Sequence, residues 1–355
     1  MSQTSASLVE PTLDLEEITD LGRLADLGAE WGALCDRCPW TTPFQRPEWL
    51  LPWCRHFDLT EPWAISLRHD GRLVAFLPLY VYTFPRDTDP ETPLLLDRIV
   101  AILGHGNSDY LDLIAEPGHA AAAAALCLQR VGERTDLWEI CQLDQLRAGS
   151  PLLEAPLPLG WTELRKPQDA CPILELPPGT RELADLVPGR QMRNLRRLAR
   201  HAAQAGGTRL ERADAVSGGQ LFDALARLHG SRWNARGMLG ILAGEEARSF
   251  HREVVELFTA RGALALHSLA IGGEIAAVTY GFYEERELFY YLGSFDPRWS
   301  HCGPGALLIG EIIQEAIHNG CERFNFLRGR EPYKYFWGAK DCWNTSRILR
   351  HGRVG

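Results

Sequence analysis

Residues 288–340 constrain this chain most, because they spell out a strand, a glycine turn, a helix and a second strand in unbroken succession. Leu288 to Leu292 is aromatic and apolar enough for a buried strand. Gly303-Pro304-Gly305 then breaks the chain, and Pro304 suits a first helical position, where its missing N–H would have no partner anyway. Leu308, Ile312 and Ala316 form one apolar row and Ile309, Ile313 and Ile317 the next, while Glu311, Gln314, Glu315 and His318 fall on the other face. This pattern predicts an amphipathic helix ended by Asn319-Gly320, then a strand from Phe324 to Leu327. A helix opening from a glycine turn after a strand presents unpaired N–H groups and a positive dipole end. Gly303, Gly305 and Ala306 are therefore a candidate seat for a phosphate or pyrophosphate, with a plain connecting loop as the alternative.

At 355 residues the chain is long enough for two domains, each with its own core. A net charge of −9 argues against binding nucleic acid by electrostatics alone, so no DNA partner is expected. The longest apolar run, Leu73 to Phe84, carries Pro78 and is too short for a membrane span. Glu10, Asp14, Glu16 and Glu17 do not suit a secretory leader, and a cytoplasmic protein without membrane insertion is expected. Nine scattered cysteines fit reduced thiols rather than a disulfide framework. Cys35 and Cys38 have the spacing of a zinc half-site, but no second ligand pair follows, and no metal is expected.

Along the chain, residues 1–12 read as disordered and Leu13 to Asp36 as helical, with another short helix from Trp49 to Phe57. Asp70-Gly71 predicts a hairpin between strands Pro62–Arg68 and Arg72–Tyr82, and Asp87 to Pro93 an exposed loop. Ile99–Leu103 and Tyr110–Ile114 read as short strands around a glycine-rich loop, followed by a helix at Ala120–Arg130, a strand at Leu137–Leu143 and an irregular Pro151–Pro158. Helices are predicted at Arg190–Gln204, Gln220–Trp233 and Glu245–Arg261, then a second hairpin, Leu264–Leu269 with Ile275–Tyr283. The two hairpins align at one constant offset, matching Ser66 to Ser268, Leu67 to Leu269, Gly71 to Gly273 and Ala75 to Ala277. Each leads into strand, helix and strand, which predicts two related mixed α/β modules.

That order resembles the core of the GNAT (Gcn5-related N-acetyltransferase) fold. The resemblance implies two tandem acyl-CoA N-acyltransferase modules: a degenerate first one over 13–178 and a second over 179–355 that carries the donor-binding turn. It also implies that Gly303, Gly305 and Ala306 hold the pyrophosphate of acetyl-CoA or another acyl-CoA, and that the edge of Tyr290, Tyr291, Leu292, Gly293 and Ser294 aligns its pantetheine arm. Where the family's turn opens with Gln or Arg, this chain has Ser300. Three segments are more specific: Leu228-His229 with Arg232-Trp233 and Arg236-Gly237; Gly293 to Pro297 leading to Pro304-Gly305; and Asn325 to Gly329 with Tyr333-Lys334 and Trp337-Gly338. With Gly106 to Tyr110 and Asp112 in the first half, they look like the CelD/BcsL acetyltransferases associated with cellulose biosynthesis. That family is similar in turn to the FemA/FemX aminoacyltransferases, which use charged tRNA.

Acyl transfer needs a held donor, a route for the acceptor's proton and stabilisation of charge at the reacting carbonyl. Asp109 sits where a carboxylate can accept a proton, although it serves equally as a loop cap, and for Asp112 the cap is preferred. Arg328, Arg330, Glu331, Tyr333 and Lys334 crowd the end of a strand, where open α/β sheets place ligands. Lys334 there suits a phosphate or oxyanion, Tyr333 a leaving thiolate, and Trp337 adds aromatic surface. Tyr110, His229, Arg232 and Trp233 are further candidates for contacting the acceptor, although a packed, hydrogen-bonded role fits His229 better. Arg193, Arg197 and Arg200, with Arg196 beside them, share a helix face that can grip an anionic acceptor or simply be solvated. The expected protein transfers an acyl group to an amine or hydroxyl of a small-molecule, saccharide or peptide acceptor held between two modules. The alternatives are aminoacyl transfer from tRNA and a non-catalytic binding role.

Overall fold

The computed structural model describes residues 13–57, 59, 61–85, 96–234 and 237–351. The expected disordered residues 1–12 and the loop Asp87 to Pro93 lie outside them. The first half contains β1 (Asp14–Ile18), α1 (Leu21–Asp26), α2 (Gly28–Cys35), α3 (Pro47–His56), β2 (Ala64–His69), β3 (Arg72–Leu77), β4 (Leu79–Pro85) and β5 (Leu96–Ile102). It continues through β6 (Ile114–Ala115), α4 (Ala120–Glu133), β7 (Ile140–Leu146), α5 (Pro151–Glu154) and β8 (Trp161–Glu175). The second half contains α6 (Gly189–Gln204), β9 (Thr208–Arg212), α7 (Gly218–Asn234), α8 (Glu245–Ala260), β10 (Leu264–Ile271), β11 (Glu274–Glu284) and β12 (Glu287–Phe295). It ends with α9 (Pro304–His318), β13 (Arg323–Asn325), α10 (Pro332–Tyr335) and β14 (Lys340–His351).

The two hairpins match in register as well as in sequence. Leu67 faces Ala75 and a bulge follows at Leu67/Arg68; Leu269 faces Ala277 and a bulge follows at Leu269/Ala270. Asp70 and Gly71 take φ of 50° and 77°, and Gly272 and Gly273 take 58° and 86°. Two positive φ values make the tight turn whose twist suits a hairpin. In the first half β5 runs antiparallel to β4, which follows β3, and in the second β12 runs antiparallel to β11 of the hairpin; each then pairs in parallel with the strand after the helix, β5 with β7 and β12 with β13.

The last strand of each half is exchanged. β8 pairs with β13 of the second half, β14 pairs with β7 of the first, and the two lie antiparallel to one another. The result is a ten-stranded sheet, β4-β5-β7-β14-β8-β13-β12-β11-β10-β9, beside a four-stranded one, β1-β2-β3-β6. Side chains lock the halves further. Trp49 of α3 packs edge-on against Phe250, Phe282 and Tyr291 and donates to Ser108 Oγ at 2.8 Å. Buried Arg46 pairs with buried Glu284 and, at 2.9 Å, with Asp36.

Two sequence expectations need correction. Asp14–Ile18 is a strand rather than the start of a helix, because it completes the edge of β2, and tertiary pairing outweighs local propensity. Tyr110 to Leu113 is not strand: Tyr110 has φ of 55°, and the carbonyls of Tyr110 and Asp112 accept from Thr42 Oγ1 and Gln45 Nε2, both at 3.3 Å. Backbone groups satisfied by side chains need no ladder. Among the described residues no helix is long and apolar enough to cross a membrane, and no cluster of His, Cys, Asp or Glu could hold a metal ion.

Candidate active site

The site begins where β13 stops. β12 pairs with β13 only over Glu287–Phe289, because Asn325 ends β13 by accepting from Leu327 N at 2.9 Å and Leu327 turns away at φ 56°. Residues 290–295 of β12 are thus left without a partner on that side. A bulge in the β11 pairing falls at the same point, between Tyr280 and Gly281. The splay opens a cavity of about 530 Å³. Its walls are largely apolar, with Ala277, Val278, Tyr290, Phe295, Ile309, Phe336 and Trp337 around the start of α9 at Gly305 and Ala306.

Glycines shape this space for different reasons. At Gly293 a Cβ would overlap the Tyr290 hydroxyl, so the ring can lie over the strand only because no side chain is present. Gly303 has φ of 59° and a Cβ there would come 2.7 Å from Leu198, so this glycine serves the turn and the packing of α6. A Cβ at Gly305 would merely touch Phe295 at 3.5 Å, so the position is open toward the cavity without being forced to be glycine.

Few polar groups line the cavity. Thr279 and Ser294 are buried with hydroxyls that have no protein partner, which leaves them available to a ligand. Arg232 lies 5.8 Å from the Phe295 ring centroid. The hydroxyls of Tyr290 and Tyr333 interact, and loss of solvent pushes both phenols above their ordinary pKa, Tyr333 also through its neighbour Tyr290. They therefore stay protonated at neutral pH and act as hydrogen-bond donors.

Of the residues singled out in the sequence, Arg232, Gly293, Ser294, Gly305, Ala306, Tyr333 and Trp337 line this cavity, and Gly303 supports it from behind. The cavity lies within the second half rather than between the halves, since its lining runs from Asn194 to Trp337. Tyr291 points instead into the first half, donating to Asn107 O at 3.0 Å, and Leu292 packs with the core on that side. His229 is buried beneath Gly240 and accepts from Trp233 Nε1 at 2.8 Å; burial, then Arg232, lowers its pKa to about 4. It is a neutral, packed histidine.

Asp109, Tyr110, Arg328 and Lys334 meet at the seam between the halves. Asp109 pairs with Arg328, whose Nη2 also donates to Gly106 O at 3.1 Å. Burial pushes the Asp109 carboxyl up, against the pull of Arg328 and Lys334. Lys334 Nζ donates to the carbonyls of Leu327, Arg328 and Gly329 at 3.1, 2.7 and 3.0 Å and pairs with Glu331 at 2.9 Å. Tyr110 donates to Asn325 Oδ1 at 3.0 Å beneath the guanidinium of Arg147. Arg330 is exposed, 3.1 Å from Asp341. Tyr290, at the start of the predicted strand edge, lines the cavity as well, while sequence reasoning missed Thr279 and Asn194. Thr279 reads as an ordinary strand residue, and Asn194 is marked only by its place in an arginine-rich helix.

Residues 189–335 match the model of a family described as an acetyltransferase (GNAT) domain. No match is found among curated protein sequences. Among solved structures, FemX is similar over 94% of this chain and 96% of its own, at 12% identity and a TM-score of 0.65. The C-terminal domain of a provisionally named lysylphosphatidylglycerol synthetase from Agrobacterium fabrum is similar over 94% and 93%, at 13% identity and a TM-score of 0.54. A conserved protein of unknown function from Bacteroides thetaiotaomicron is similar over 96% and 100%, at 13% and 0.55. At these identities the likeness is one of fold alone. The domain match adds the class: residues 189–335 are similar to a GNAT acetyltransferase domain, and the protein is an acyltransferase.

Proposed function

We propose that this acyltransferase moves an acyl group, acetyl in the simplest case, from acyl-CoA to an amine or hydroxyl of a small-molecule, saccharide or peptide acceptor. The sequence segments shared with the CelD/BcsL acetyltransferases favour a role in polysaccharide or cell-envelope biosynthesis. The observation that carries the reading is the cavity in the splay of β12 and β13, opening at the first turn of α9.

The residues fit an acyl thioester. An extended pantetheine arm suits an apolar slot along an unpaired strand edge, with Thr279 and Ser294 available to its amides. The first turn of α9 presents N–H groups to phosphate. Bound acyl-CoA supplies the activated carbonyl. Tyr333 can donate a hydrogen bond to the departing sulfur, and Arg232 places positive charge beside the same space. Neither carboxylate nor histidine lines the cavity among the described residues, so an amine acceptor must arrive already neutral.

Calorimetric titration with acetyl-CoA and free CoA tests this, repeated on Gly305→Trp, whose indole would enter the cavity. Saturable binding that is lost in the variant is expected. No binding by the folded wild-type chain would remove the acyl-CoA reading and shift the weight to transfer from tRNA or to a binding role.

A further inference from the structure

α6 carries five arginines, at 190, 193, 196, 197 and 200, in a chain whose net charge is −9. All five are exposed, and none has a carboxylate partner among the described residues, whereas most other arginines here are paired. A cluster of like charges without counter-charges is unfavourable unless something else neutralises it. Its position is informative. Leu195, Leu198 and Ala202 are buried, and Leu198 reaches Gly303 at the start of α9. One helical row over from that buried face run Arg190, Asn194, Arg197 and His201, spaced four, three and four. Asn194 lines the cavity, Arg197 donates to Asn194 Oδ1 at 2.9 Å, and His201 meets His301 O at 3.3 Å beside the glycine turn. Arg193 and Arg200 follow on the outer side of this row, and Arg196 points furthest away.

We infer that this row is the seat for the phosphate-bearing nucleotide end of the donor. The geometry continues the cavity: the apolar slot ends at α9, and α6 packs against that end with the Arg197 guanidinium beside the lining residue Asn194. Planar guanidinium forks suit phosphate oxygens, and the ligand would supply the counter-charge that the protein withholds. The seat also bears on the missing Gln or Arg before Gly303, since α6 offers the cation from another element. The inference rests on the acyl-CoA reading for the ligand's identity, while the anion seat itself rests on α6.

The test compares the wild type with Arg193→Gln/Arg197→Gln and with the control Arg196→Gln, titrating CoA, adenosine 3′,5′-bisphosphate and S-acetyl-pantetheine, which has no phosphate of the nucleotide. The double variant is expected to lose about tenfold or more in affinity for CoA and the bisphosphate, with a weaker dependence on salt. S-acetyl-pantetheine binding and the control variant are expected to be unchanged. A double variant that binds CoA as the wild type does, or that loses CoA and S-acetyl-pantetheine equally, would overturn the inference. A wild-type chain that binds the bisphosphate through these arginines but no acyl-CoA keeps the seat and removes the acyl-CoA reading. If it binds neither, or the arginines serve only a charged tRNA, the inference fails.

Discussion

Gly293→Ala isolates the wall of the cavity. The added methyl would overlap the Tyr290 hydroxyl and sit 2.9 Å from its Cζ, where ordinary contact begins at 3.4 Å. Tyr290 is buried among Phe324, Phe326 and Tyr333, so it has little room to retreat except into the cavity. Overpacking of this kind costs about 1–3 kcal/mol. If half of that falls on the ligand-competent state, donor affinity drops about two- to tenfold. Tyr290→Phe removes the overlapping oxygen and leaves only the ring contact, about 0.5 Å too close, which small shifts absorb. In that background the Gly293→Ala penalty is expected to shrink below about 1 kcal/mol, a coupling of roughly 1–2 kcal/mol between the sites. Chemical denaturation and CoA titration of the four proteins measure both terms. Additive effects, or a Gly293→Ala protein with unchanged stability and affinity, would refute the description of this wall.

Other consequences follow from the seam and the shared sheet. Glu284→Gln leaves buried Arg46 without its main counter-charge and is expected to cost about 3–5 kcal/mol in denaturant melts. Lys334→Met removes the donor to three carbonyls, so it should lower stability by about 2–4 kcal/mol. A loss of turnover with an unchanged melting curve would instead make that lysine catalytic. Burial raises the Asp112 pKa to about 7, above its unfolded value, so its protonated form favours the fold at low pH and that contribution is lost as pH rises toward and through 7. Asp112→Asn should remove this slope, on the order of 3 kcal/mol between pH 4 and 7; an identical pH profile for variant and wild type would show the carboxyl is not buried as described. Because β8 and β14 are exchanged, residues 13–178 and 179–355 expressed apart should each melt without a cooperative transition, and two sharp independent melts would count against the exchange.

Much of the second half is legible because local signals agree with the tertiary fold. Gly272-Gly273, the two rows of α9 and the Asn319-Gly320 stop each say the same thing at short range. β8 and β14 are not legible in this way. β8 is mostly exposed and carries Pro167 and Pro172, so it shows neither alternation nor an apolar run, and its partners β14 and β13 make it a strand. The site shows the same limit. The dense segment Arg328 to Trp337 signals chemistry, but α10 is one turn long and sends Tyr333 into the cavity and Lys334 into the seam. Spacing alone cannot assign those sides. Asp109 likewise reads as a free loop carboxylate until the fold places Arg328 against it from more than two hundred residues away.

Hydrogen–deuterium exchange with and without acetyl-CoA tests the central claim most directly, because it reports where the donor binds. Exchange is expected to slow in 290–295, where β12 has no partner on one side, and in the first turn of α9, with little change around 103–112 in the first half. Slowing centred on 103–112 would place the donor in the first half instead, and none anywhere at saturating acetyl-CoA would rule out donor binding in the cavity.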